Sequence, residues 1–362
     1  MIAEPAAGPT PERAAPPTRG APHSEPHSEP HGVPGDVTAL FERARNGDRR
    51  ALGRLLSYTE GSGPRADAVA VSAWPLAGSA HVVGITGAPG VGKSTLTDRL
   101  AQIAIDDGQR VAILAVDPSS PLTGGAILGD RVRMGSAAAP GGPFVRSMAS
   151  RGQSGGLALA ALAAVRLLDA TGHDLIIVET VGIGQVEVDI ARTADTTIVA
   201  VSPGWGDAVQ ANKAGLLEMA DIFVVNKADR TGATDARRDL EHMLDLGHHA
   251  GWRPPVTLTV ATTGDGADEL FEHLQEHRRH LRDHRSESDR RARHVAEEVR
   301  RHLHRTVDLL VAQPSPRAAR LFAEVAAGRL APSTAARRLV GELGHDPDGG
   351  TADDAAGGGT GG

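Results

Sequence analysis

From His81 onward, short runs of consecutive apolar residues alternate with longer segments in which apolar positions recur every three or four residues. The runs are His81–Thr86, Val111–Val116, Phe144–Met148, Leu175–Glu179, Thr196–Val201, Ile222–Asn226 and Val256–Val260. A strand with one wet face would alternate apolar and polar residues, so unbroken apolar runs separated by helices predict a parallel sheet covered on both faces. Before it, Leu40, Phe41, Ala44, Leu52, Leu55 and Leu56 fall at helical spacing, broken at Asn46-Gly47-Asp48, and predict two short helices. Beyond about Glu269 the chain reads as helix, with Leu303, Val307, Leu310 and Val311 marking an apolar stripe before Pro314. The expected fold class is α/β: a doubly wound, mainly parallel sheet with an N-terminal helical extension and a C-terminal helical arm.

Residues 1–35 are rich in Pro, Ala, Gly and His without apolar periodicity and are expected to be a disordered tail. The expected organisation continues with the helical extension and its linker over 36–79, the α/β domain over 80–285 and the arm over 286–343. An Asp/Gly-rich tail, again expected to be disordered, occupies 344–362. The chain contains no cysteine, which excludes thiolate nucleophiles, disulfides and Cys-ligated zinc or iron–sulfur sites. A formal net charge of −7 argues against non-specific binding to nucleic acid. No apolar run approaches the roughly 20 residues of a membrane span. The start, Met1–Arg13, is too polar and Pro-rich for a signal peptide, so a cytoplasmic protein without membrane contact is expected.

The segment Gly87-Ala88-Pro89-Gly90-Val91-Gly92-Lys93-Ser94 fits the G-x-x-x-x-G-K-[ST] pattern between a predicted strand and a predicted helix that continues through Thr95. Its glycines let backbone N–H groups wrap a β-phosphate, the helix N-terminus adds positive potential, Lys93 bridges the β- and γ-phosphates, and Ser94 reaches Mg²⁺. The sheet is therefore expected to be that of a P-loop NTPase. Glu179 ends a buried strand beside this loop, where Mg²⁺ needs a carboxylate anchor, and Gln185 is a candidate for orienting the attacking water.

Asn226-Lys227-Ala228-Asp229 lies at the end of a later strand. A carboxylate at Asp229 accepts from guanine N1–H and the 2-amino group, which adenine does not offer, while Asn226 suits the N7/O6 side. Ala261 and Thr262 follow the next strand and are expected to add a backbone contact to the base. GTP is the expected substrate and GDP the product, with Mg²⁺ as cofactor.

The stretch from Val116-Asp117-Pro118 to Gly129-Asp130-Arg131 resembles the first switch of the MeaB/ArgK GTPases. The resemblance continues through Phe144–Gly152, Gly155-Gly156-Leu157, Glu179–Gln185, Pro203-Gly204-Trp205-Gly206-Asp207 and Asn226–Asp229, covering roughly residues 36–343. It departs from the family's pattern at Val186 and Trp205. The likeness implies a GTPase that chaperones an adenosylcobalamin-dependent acyl-CoA mutase, gating cofactor loading and helping to replace damaged cofactor. It implies that Ser94, Asp117, Asp130 and Glu179 surround Mg²⁺ and the γ-phosphate, and that Pro203–Lys213 relays nucleotide state. A homodimer through the C-terminal helices is also implied.

Two other classes compete. ArgK-like sequences have been described as kinases linked to amino-acid transport, and nickel-insertion GTPases carry His-rich tails like residues 23–31 here. The nickel proteins usually add a Cys/His metal site, for which this chain has no cysteine. His273, His277, His280 and His284 form one helical stripe, expected to be a polar border beside Leu270, Leu274 and Leu281 and not a metal site. The basic run Arg278–Arg305 lacks aromatics for base stacking and reads as a solvated helix face.

Overall fold

The apolar runs become seven strands: β1 (His81–Gly87), β2 (Val111–Asp117), β3 (Phe144–Ala149), β4 (Leu175–Thr180), β5 (Thr196–Val201), β6 (Ile222–Asn226) and β7 (Val256–Thr259). They form one sheet in the order β3-β2-β4-β1-β5-β6-β7, and every pairing in it is parallel. The computed structural model describes residues 35–61, 63–117, 141–149, 156–180, 194–204, 219–247, 251–283 and 286–343. Within these the helices are α1 (Gly35–Arg45), α2 (Arg49–Thr59), α3 (Pro64–Ala73), α4 (Lys93–Asp106), α5 (Gly156–Ala170), α6 (Ala233–Asp245), α7 (Ala267–Asp283), α8 (Ser286–Ala312), α9 (Pro316–Ala326) and α10 (Pro332–Leu343).

The two-residue period of each strand sorts its side chains between opposite faces. On β2, Val111 and Ile113 pack with Leu96 and Leu100 of α4 and Leu270 and Leu274 of α7. Ala112, Leu114 and Val116 face the other way, against Leu55 and Leu56 of α2 and Leu167 and Leu168 of α5. Beyond β5, Phe223 and Val225 pack on Leu240 and Leu244 of α6. Helices on both faces thus explain why the strands carry no polar alternation.

The N-terminal extension is built into this core. Its third helix, α3, opens on Pro64 and buries Ala68, Val69 and Ala73, followed by one 3₁₀ turn, Trp74–Leu76. The small side chains of α3 give only a weak apolar stripe, so the sequence there reads as linker although it folds. Asp169 of α5, 6% exposed, closes the joint to β1. Its carboxylate accepts from the backbone N–H of Gly78, of Ser79 at 3.2 Å and of Ala80 at 3.0 Å.

The chain runs from β1 outward to β2 and β3, returns to β4, then crosses to β5 and onward to β7. The order of strands reverses around β1, and in open α/β sheets a crevice for ligands forms at such a switch, beyond the carboxyl ends of the strands. Gly87, Glu179, Asn226 and Thr259 all lie at that end.

Candidate functional site

Gly87 ends the central strand and must be glycine. A Cβ there would stand 2.1 Å from the carbonyl oxygen of Ala200 on β5, and its φ is +146°. The loop that follows turns through Gly90 and Gly92, both at positive φ, and Gly92 caps α4. The first turn of α4 therefore offers N–H groups that no helical carbonyl can accept. Lys93, 6% exposed, folds back so that Nζ donates to the carbonyls of Gly87 at 2.8 Å and Ala88 at 3.1 Å. Ammonium, loop amides and helix N-terminus converge on one side, an arrangement suited to a polyphosphate. Ala88, Pro89, Val91 and Thr95 complete this loop and first turn, as the pattern places them.

Beside it, the Ser94 hydroxyl donates to Oε1 of Glu179 at 2.5 Å. Glu179 is 3% exposed in β4, and β4 pairs directly with β1, so the carboxylate is held against the first turn of α4.

Further along the same edge, Asn226 is 2% exposed and its amide is used in both directions. Nδ2 donates to the carbonyl of Val91 in the phosphate loop at 2.8 Å, while Oδ1 accepts from Ala261 N at 3.1 Å and Thr259 Oγ1 at 3.2 Å. Lys227 adopts the left-handed conformation, φ 61°, and donates from Nζ to the carbonyl of Gly90 at 2.6 Å. Asp229 is exposed in the turn after it, and Ala228 N bonds the carbonyl of Thr259 at 3.0 Å. The turn bearing Asp229 is thereby fastened to the strand that leads into Ala261 and Thr262.

Sequence reasoning assigns Asn226 to the base alone and misses its tie to the phosphate loop. It also misses Arg99 of α4, whose guanidinium donates to the carbonyls of Ala261 at 3.3 Å and Thr262 at 3.2 Å and so orients that loop. Nothing in the sequence marks an exposed helical arginine for this task. Asp117 ends β2 with a side chain outside the described residues. Asp130, Gln185 and residues 205–213 of the relay segment also lie outside them, whereas Pro203 and Gly204 are described.

One expectation needs correcting. Within the histidine stripe, His277 does not lie at a polar border: it is 1% exposed, while His273 and His280 are half-buried and His284 lies outside the described residues. Nδ1 of His277 bonds Thr196 Oγ1 at 2.8 Å, its Nε2 stands 3.3 Å from Asp221 Oδ1, and the Trp252 ring packs tilted against it, centroids 4.8 Å apart. His273 bonds Thr257 at 2.9 Å. Threonines near the N-terminal ends of β5 and β7 thus supply polar partners to the buried His277 and the half-buried His273.

A family profile described as methylmalonyl Co-A mutase-associated GTPase MeaB matches residues 52–314. A Pyrococcus horikoshii protein with a provisional GTPase designation is 49% identical over 268 residues, covering 73% of this chain and 84% of its own. GTPase ArgK of Escherichia coli is 38% identical over 238 residues, 63% of this chain and 72% of its own. Among solved structures, one titled LAO/AO transport system kinase superposes with a TM-score of 0.63 at 28% identity, covering 85% of this chain and 98% of its own. A mouse protein, the mitochondrial methylmalonic aciduria type A homolog, is 35% identical over 199 residues, 54% of this chain and 48% of its own.

Asn226→Ala tests the tie between the two halves of the site. It frees the Val91 carbonyl and the Ala261 amide together, and the expected outcome is a loss of GDP affinity of about tenfold or more by calorimetry. Unchanged affinity in a folded variant would show that the two halves are positioned independently.

Proposed function

The chain belongs to the MeaB family of GTPases, and on that premise we propose that its hydrolysis of GTP drives a chaperone cycle for an adenosylcobalamin-dependent acyl-CoA mutase, methylmalonyl-CoA mutase or a close relative. The family's own description names that mutase, and one relative is named for methylmalonic aciduria. The observation that carries the reading is a glycine-rich loop with Lys93 tied through Asn226 to the turn that bears Asp229, in a chain matched by that family over residues 52–314.

In this reading water attacks the γ-phosphorus, the bond to the β–γ bridging oxygen breaks, and GDP and phosphate leave. Lys93 exchanges the carbonyls of Gly87 and Ala88 for phosphate oxygens, and the amides of the loop and of the first turn of α4 hold the β-phosphate. Asp229 accepts from guanine N1–H and the 2-amino group. Arg99 presents the Ala261–Thr262 backbone to the base edge. Asn226, buried against Val91, keeps base and phosphates at a fixed separation.

Ser94 and Glu179 fit Mg²⁺: a hydroxyl and a carboxylate in contact beside the phosphate cradle are the hard oxygen donors that ion selects. When bound there it would neutralise charge on the phosphate oxygens. Asp117 and Asp130 are proposed for the same shell, and Gln185 for the water, on the resemblance of their segments to the family.

Self-association through the C-terminal arm is part of the proposal. Val299, Leu303, Val307 and Val311 recur every fourth residue along α8 and are 40–58% exposed. Val307 and Val311 also line an apolar cleft of about 220 Å³ shared with α9 and α10. A second copy of the chain laid along this stripe would remove it from water. Leu303→Asp is therefore expected to sediment as a monomer with basal hydrolysis retained. A variant that sediments like wild type would remove the arm as the interface.

The resemblance to a structure titled a transport system kinase supports a second reading, in which the same site passes the γ-phosphoryl group to a protein hydroxyl. One assay separates the two. Purified adenosylcobalamin-dependent methylmalonyl-CoA mutase should raise phosphate release from GTP several-fold, with no label from γ-³²P-GTP retained on protein. Label transferred to a substrate-binding protein, with no stimulation by the mutase, would replace the chaperone reading by the kinase one.

A further inference from the structure

A second cleft, of about 230 Å³, opens at the other end of the sheet, where β2 and β3 begin and where the chain enters β4. Its walls include Arg49, Gln109, Arg110, Phe144 and His173. We propose that this cleft binds a small oxyanion, a carboxylate or a phosphate group, at a site separate from the GTP site.

Two guanidinium groups reach this wall, and no carboxylate among the described residues forms an ion pair with either. Arg49 is fixed in place: Nη1 donates to the carbonyl of Gly142 at 3.0 Å, Nη2 to that of Pro143 at 2.7 Å, and its guanidinium carbon lies 5.5 Å from the Phe144 ring centre. Arg110 uses its backbone to receive Asp174, N to Oδ2 at 2.8 Å, and its side chain makes no hydrogen bond among the described residues. That side chain lies over Gly172, where a Cβ would come within 2.8 Å of Nη1 and where φ is +86°. The absence of a side chain at 172 thus keeps room for the guanidinium. The one carboxylate on the wall, Asp48, is already committed. It accepts from Arg50 N at 2.9 Å and Ala51 N at 3.0 Å at the start of α2, and from Arg43 Nη2 at 2.5 Å. The lining of the cleft thus carries two arginines, with no ion pair among the described residues, against one carboxylate that is already bonded, in a chain of net charge −7.

Two further groups on the wall each keep one acceptor atom, Gln109 Oε1 and His173 Nε2, without a hydrogen bond among the described residues. Gln109 donates from Nε2 to Asp107 at 3.0 Å, but its buried Oε1 has no hydrogen bond among the described residues. A hydroxyl carried by the anion, or a water bound with it, would satisfy that oxygen. His173, 7% exposed, bonds the carbonyl of Leu168 through Nδ1 at 2.9 Å. A carbonyl only accepts, so Nδ1 carries the proton and the neutral ring keeps its lone pair on Nε2.

His173 reports on the site. Burial, above all, and the guanidiniums of Arg110 and Arg49 hold its pKa below the ordinary 6.5, opposed by the hydrogen bond to the Leu168 carbonyl and by Asp174. A folded-state value depressed in this way stabilises the fold above pH 6.5, and that contribution is lost as pH falls through the folded value. An anion seated against the arginines adds negative charge beside the ring and shifts its pKa back upward.

The test is an NMR titration of the His173 ring in the full-length, GDP-loaded protein, with inorganic phosphate or acetate compared against chloride at equal ionic strength. The expected result is an upward pKa shift that saturates with anion concentration. Arg110→Met should weaken it about tenfold or more. Arg237→Met, the same charge change on α6, should leave it intact, and neither variant should change basal GTP hydrolysis. A shift with phosphate alone assigns a phosphate group, and one with acetate alone assigns a carboxylate. No saturable shift with either anion, or equal weakening by the two variants, would overturn the proposal.

Discussion

The separation between the glycine-rich loop and the turn that bears Asp229 depends on one buried amide. Asn226 satisfies its donor on the Val91 carbonyl and its acceptor on Ala261 N and Thr259 Oγ1, so β6 ties together two loops that approach from β1 and β7. A buried amide that lost either partner would leave a polar group unpaired, a cost of about 1–3 kcal/mol. Its fit dictates neighbouring residues. Gly92 has no side chain because a Cβ there would stand 2.4 Å from Asn226 Nδ2. Lys227, the next residue, reaches back to the Gly90 carbonyl at 2.6 Å, and the turn carrying Asp229 follows. On the proposed function, a nucleotide would meet a site whose length is set before it binds, which favours guanine recognition and phosphate capture as one event.

The sheet was legible in the sequence because its strands are buried on both faces. Runs such as Leu175–Val178 and Ile222–Val225 have no polar alternation to confuse them with surface strands. The glycine pattern from Gly87 to Ser94 and the tetrad at Asn226 could be placed for the same reason, each being anchored at the end of a recognisable strand. What escaped depends on contacts distant in sequence. The 162-residue separation between Arg99 and Ala261 leaves no local trace, and neither does the 135-residue span from Val91 to Asn226. Helix α3 escaped for a different cause: Ala, Val and Ser on a short segment carry too little amphipathic contrast. The burial of His277 escaped because its partners, Thr196 and Asp221, belong to the β5 and β6 region and not to its own helix.

The two ends of the sheet have different characters. At the carboxyl ends, backbone amides and Lys93 converge where strand order reverses, as the fold dictates for nucleotide binding. At the opposite end the entry loops of β2, β3 and β4 meet the turn between α1 and α2 around Arg49 and Arg110, neither of which forms an ion pair among the described residues. Strand β2 and helix α5 connect the two regions through one continuous core with the N-terminal helices. The extension is thus part of the nucleotide domain's packing and forms one wall of the second cleft.

The central claim, that base and phosphate sites are preassembled around Asn226, is tested most directly by a crystal structure with Mg²⁺ and a non-hydrolysable GTP analogue. The account predicts that Lys93 Nζ leaves the Gly87 and Ala88 carbonyls for the phosphates and that Asp229 bonds guanine N1–H, while the Asn226 bonds to Val91 and Ala261 keep their present geometry. A nucleotide seated with Asn226 turned out of its pocket, or with guanine away from Asp229, would contradict it.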